Sequence, residues 1–143
     1  MKSIEIKGLD KLINKLKNVA DDNLIDKGIL RTAEFVQGQA KLNAPVDTGD
    51  LRESIKVSDI KNHTAEVFTN SDHAIFNEYG TGSKGDPDVS HTTKKNWTYK
   101  GTDGNFHTTS GMKPHPYMRP AAHEGEKQMP CIFDALIKKE LEK

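Results

Sequence analysis

Residues Ala44 to Ile55 read A-P-V-D-T-G-D-L-R-E-S-I, and the period of the apolar residues changes across them. Before this stretch they recur at helical spacing; after it they alternate. Pro45 ends the preceding helix, because the residue ahead of a proline is driven out of the helical region. Pro45 and Gly49 then form a stiff corner, where Asp47 or Thr48 can accept from free amides. Asp50 and Glu53 have capping-box spacing, so D-L-R-E-S predicts a single helical turn. A chain that turns a corner from helical to alternating pattern is α+β.

Upstream of the corner, Asp21 and Asp22 are suited to start a helix, with carboxylates facing its free N–H groups. Its predicted buried face is Ile25, Ile29, Ala33, Val36 and Ala40. Gly28 and Gly38 interrupt it at about 1 kcal/mol each relative to alanine. It is expected to be the longest element. Leu12, Ile13, Leu16 and Val19 predict an amphipathic helix from about Leu9 to Asn18, and Ile4 and Ile6 a short strand before it. Downstream, Ile55 and Val57 pair in pattern with Ala65, Val67 and Thr69 across a turn at Lys61 to His63, an antiparallel hairpin. His73 to Tyr79 fits either a strand or a short helix. The last helix begins near Pro120, whose missing N–H costs nothing in a first turn. Its inner face is Met129, Ile132, Phe133, Leu136 and Ile137, with a kink at Pro130. The expected architecture is one α+β domain spanning residues 1–143. A small antiparallel sheet packs against a long helix and N- and C-terminal helices.

Between Gly80 and Pro114 this order lapses. The segment holds six of the eleven glycines and few large apolar residues. So long an irregular stretch inside a domain reads as an arm or insertion, residues 83–113. Trp97-Thr-Tyr99 and Phe106-His-Thr flank K-G-T-D-G-N, the pattern of a hairpin tip. Strands rise about 3.3 Å per residue, which would let such a hairpin project roughly 50 Å.

The root of this arm, E-Y-G-T-G-S-K-G-D-P, invites comparison with a phosphate-binding loop. Gly80 and Gly85 have the right spacing, but Asp86 and Pro87 stand where lysine and a hydroxyl are needed. Gly80, Gly82 and Gly85 read instead as a hinge, since glycine permits backbone angles other residues resist. Six histidines and one cysteine show no metal-ligand spacing, and no serine lies in a nucleophile elbow. Cys131, on the apolar side of the last helix, is expected in the core. No cofactor, metal or catalytic residue is assigned. With 21 basic and 21 acidic residues, the chain has no global pull towards nucleic acid or anionic membrane. No apolar run is long enough to span a membrane. The lone cysteine fits a reducing compartment.

One local patch remains. Lys84, Lys94 and Lys95 lie in the arm with Trp97, Tyr99 and Phe106, a mixture able to anchor a protein partner or to stack bases. Asp86, Asp88 and Asp103 in the same stretch weaken the nucleic-acid alternative.

Four segments in order, I-E-I-K-G-L-D-K-L, A-P-V-D-T-G-D-L-R-E-S-I, H-A-I-F-N-E-Y-G-T-G and P-H-P-Y-M-R-P-A, resemble the small neck or tail-component proteins of lambdoid-type long-tailed bacteriophages and prophages. The resemblance covers nearly all of the chain except the arm. It implies a non-enzymatic virion protein made in the host cytoplasm. Its place would be a ring at the head–tail junction, where it meets copies of itself, head-closure proteins and a tail-tube or tail-terminator protein. A passing contact with DNA is compatible with that place. Tyr117 and Arg119 join the expected contact set, and residues Ser83 to Lys113 are expected to become fixed only on assembly.

Overall fold

Asp21 opens the second helix as its N-cap, its side chain accepting from the Asn23 amide at 3.4 Å, and the helix then runs Asp22–Asn43. Ala44 leaves the helix in an extended conformation, as Pro45 requires, while its amide still donates to Ala40 O at 2.9 Å. The computed structural model describes residues 9–46 and 49–143. The strand expected at Ile4 and Ile6, and the caps expected from Asp47 and Thr48, lie outside them.

The element order is α1 Leu9–Val19, α2 Asp22–Asn43, α3 Asp50–Ser54, β1 Lys56–Val57, β2 Val67–Phe68, α4 Ala74–Tyr79, β3 Thr81–Gly82, β4 Trp97–Lys100, β5 Phe106–Thr109, β6 Gly111–Met112 and α5 Met118–Leu141. The fold is α+β, as the change of period predicts. The strands, however, form three separate two-stranded antiparallel ladders rather than one sheet: β1–β2, β3–β6 and β4–β5. The first is the expected hairpin, with Val57 opposite Val67 and a tip at Asn62 and His63, both at positive φ. His63 Nδ1 meets Asp26 Oδ1 at 2.8 Å, which ties the tip to α2. His73 to Tyr79 resolves as helix.

Three helical expectations are corrected. Alpha-5 has 24 residues and α2 has 22, so α2 is not the longest element. Alpha-3 is entered through Gly49 at φ 85°, and Asp50 is its first helical residue rather than its cap. Cys131 and Met129 are exposed rather than buried. The buried line of α5 runs through Ala121, Gly125 and Leu136, and Cys131 falls off that line.

The partner of this line is α2, and small residues let the two helices approach. Phe133 of α5 covers Gly28, where an added Cβ would lie 2.3 Å from its ring. Val36 of α2 covers Gly125 in the same way, at 2.2 Å. Both contacts fit one antiparallel register, in which Ala40 faces Ala121, and neither alanine has any exposure. The deepest line of α2 is therefore Leu24, Gly28, Thr32 and Ala40, with Ala33 beside it. Ile25, Ile29 and Val36 are only partly buried at its flanks. Thr32 satisfies its hydroxyl by donating to Gly28 O at 2.8 Å. Around the Ala40–Ala121 contact gather Ala44, Leu51, Ile55 and Tyr117, the main core.

This packing reverses the usual sign of a glycine substitution. At Gly38, where nothing lies within 4 Å, alanine should stabilise by up to about 1 kcal/mol. Gly28→Ala should instead destabilise by about 1–3 kcal/mol, because the methyl displaces the Phe133 ring. Urea unfolding of both variants checks this; stabilisation by both would refute the interlocked register.

Candidate assembly interface at the root of the arm

Alpha-5 begins among prolines with no side-chain cap of its own, since Tyr117 occupies the N-cap and makes no capping bond. A helix start leaves N–H groups without intrahelical acceptors. Glu78, on α4, supplies the missing acceptor. Its Oε2 accepts from the Tyr117 and Met118 amides at 2.8 and 2.9 Å, and its Oε1 from the Arg119 amide at 3.0 Å. The Arg119 guanidinium completes the set, Nε donating to the same Oε1 at 3.0 Å. Burial alone pushes the Glu78 carboxyl up. The three amides and the guanidinium more than offset that, so its pKa falls below the ordinary 4.5.

Arg119 also fixes where the arm leaves. Its Nη1 donates to Asp86 Oδ2 at 3.1 Å, its Nη2 to Glu78 O at 3.3 Å, and its guanidinium lies 4.7 Å from the Tyr79 ring centroid. The Asp88 amide and then Arg119 hold the Asp86 carboxyl below its usual range. Asp86 in turn donates its amide to Tyr79 O at 2.7 Å, and Gly85 closes a turn onto Gly82 O at 3.0 Å. The outgoing strand β3 pairs with the returning β6, Thr81 opposite Met112. Gly80, at φ 72°, has no room for a side chain: a Cβ would lie 2.5 Å from Met112 O. Gly82, at φ 63°, lies beneath the Trp97 ring.

Beyond this root the arm's paired hairpin is β4–β5, with its tip at the expected G-T-D-G-N. Four residues per strand span about 13 Å, well short of the 50 Å the segment length allows. Tyr99 stands opposite His107, their ring centroids 5.7 Å apart, and His107 Nε2 meets Asp103 Oδ2 at 3.0 Å. Between the hairpin, the arm's outgoing segment and α4 lies an apolar groove of about 810 Å³. Its walls include Ile75, Phe76, Tyr79, Val89, Trp97 and Tyr99.

The sequence-derived contact set is thus divided. Trp97 and Tyr99 face the groove. Phe106, 77% exposed, lies opposite Lys100 on the other face of the hairpin. Lys84, Lys94 and Lys95 are exposed outside the groove lining. Tyr117 is 2% exposed and belongs to the core, which removes it from the surface available to a partner. Arg119 anchors the chain to itself. Glu78, Ile75 and Phe76 were not singled out from sequence. The signal for Glu78 was the last helix itself, whose start offers no Ser, Thr, Asp or Asn to cap it.

A family model described as "Bacteriophage HK97-gp10, putative tail-component" matches residues 8–80. No curated protein and no solved structure matches the chain.

Removing the Glu78 carboxylate leaves three amides and a guanidinium unpaired, so Glu78→Ala should destabilise by about 3 kcal/mol. Because the folded pKa is depressed, this stabilisation is complete above the ordinary 4.5 and is lost as pH falls below it. Thermal unfolding across that range should show an acid-induced fall in Tm that is smaller in Glu78→Gln. An equal acid dependence in both proteins would contradict the assignment.

Proposed function

The chain belongs to the HK97-gp10-like family of bacteriophage tail components, and from that premise we propose that it is a non-catalytic ring subunit at the head–tail junction. During assembly in the host cytoplasm it would sit between head-closure proteins and the tail tube or tail terminator. A ring of identical subunits is a heterologous assembly, so each copy needs two different complementary surfaces. The observation that carries the reading is the amount of apolar side chain left in solvent at separate places. Leu12, Ile13 and Leu16 are exposed on α1, Ile75 and Phe76 on α4, and Tyr99 and Phe106 on the hairpin. Exposed apolar patches of this kind mark contact surfaces.

The hairpin would reach a neighbouring subunit or the adjoining layer, with Gly80, Gly82 and Gly85 setting the direction in which it leaves. Lys84, Lys94 and Lys95 remain available for a passing contact with DNA, weak enough to vanish with added salt.

Replacing residues 98–108 by a two-residue Asn-Gly turn keeps Trp97, β3, β6 and the Arg119 ties. The variant should fold with unchanged circular dichroism. In cells producing the particles, joined heads and tails should fall by about tenfold or more, the equivalent of losing ~1.4 kcal/mol of contact. Electron microscopy counts joined and separate particles; undiminished joining would refute a role for the hairpin. Absence of the chain from purified particles would refute the ring reading itself.

A further inference from the structure

We infer that the ring is closed by α1 of one subunit docking, apolar face inward, in the α4–hairpin groove of the next copy. This rests on the ring reading above and names the surface through which it works. The outward apolar ridge of α1 is Leu12, Ile13 and Leu16, with Leu16 55% exposed. A helix so strongly amphipathic ordinarily buries that face. In this chain α1 touches α5 through other residues, Lys15 Nζ donating to Leu141 O. The groove is apolar on both walls, and Phe76 within it is 47% exposed.

The two surfaces cannot satisfy each other within one molecule. Alpha-1 sits at the C-terminal end of α5, at Leu141. The groove sits at the N-terminal end, where its lining residue Asp86 is bound to Arg119. Between those ends lies about 33 Å of helix at ~1.5 Å per residue. A second copy of this chain can supply the ridge, and the contact is then head-to-tail, the kind that closes a ring.

Charge favours the same occupant. Alpha-1 carries Lys11, Lys15 and Lys17 against one acid, Asp10. The groove lining contains Asp86 and no lysine or arginine. Asp72 and Asp88, both exposed, adjoin the lining residues His73 and Val89. A basic ridge meeting an acid-edged groove steers the encounter and fixes its orientation. Helix-in-groove docking uses the i, i+3, i+4 spacing that Leu12, Ile13 and Leu16 present.

The test uses the full chain with its exposed Cys131 replaced by serine. Leu16→Cys and Phe76→Cys are introduced separately and together; both positions are exposed, so the fold is not at stake. Under mild oxidation, a mixture of the two single variants should give a covalent dimer as its main product. The double variant should give a ladder of oligomers, and neither single variant alone should dimerise comparably. The same ladder is expected from the double variant within purified particles. Dimers from Leu16→Cys alone as abundant as from the mixture would show that the ridge pairs with itself, and would overturn the inference. Particles that contain the chain but yield no ladder would overturn it while leaving the ring reading intact. Particles that lack the chain would overturn both.

Discussion

One carboxylate decides whether the C-terminal helix can begin where it does. Glu78 accepts from three successive amides, Tyr117 to Arg119, and from the Arg119 side chain, in a site where its own side chain is nearly out of solvent. An ionised acid buried without partners would be strongly disfavoured, and a helix start without acceptors likewise. Each defect is cured by the other, so α4 and α5 form their junction together or not at all. The helix dipole adds to the arrangement, since its positive end faces the charge. Tyr117, one of the largest buried side chains, is delivered to the core by this junction.

From that start α5 runs back along α2 in a register set by absence of side chain. Phe133 over Gly28 and Val36 over Gly125 place a large residue of each helix against a glycine of the other. The core that results is small, made largely of alanines with Leu51, Ile55 and Tyr117 at one end. A chain of this length has limited apolar material to bury. Here a noticeable share of it stays on the surface, in α1, α4 and the hairpin. Such a distribution suits a subunit whose remaining burial occurs between copies.

The broad layout was legible from residues alone. The period change at Ala44 to Ile55, the Asp21 start, the β1–β2 hairpin and the G-T-D-G-N tip all follow from local chemistry that acts within a few positions. What failed depended on the partner element. The face of α2 was rotated because Gly28 and Thr32 carry little hydrophobic signal, yet they lie on the contact line, where smallness and an internally bonded hydroxyl matter more. Cys131 was assigned to the core from residue type, whereas the line through Ala121, Gly125 and Leu136 excludes it. The glycines at the arm's root were readable as turns. Glu78 was not readable as a buried acid, since its burial is licensed by amides some forty positions away.

A closed ring requires a fixed angle between the surface that gives and the surface that receives, because a small angular error repeated at each contact prevents closure. In this fold both surfaces are referred to α5. Alpha-1 is tied to its C-terminal end through Lys15, and the groove's arm-side wall to its N-terminal end through Asp86 and Arg119. A continuous helix is a stiffer spacer than any loop of this chain could be. Its one internal proline, Pro130, lies between the two attachment points and removes a backbone hydrogen bond there. The direction of α5 on either side of Pro130, held by Gly125 against Val36 and by Phe133 against Gly28, thus sets how the two surfaces are turned relative to one another. The glycine packing that stabilises the isolated subunit and the geometry that an assembly would need are, on this reading, the same physical feature.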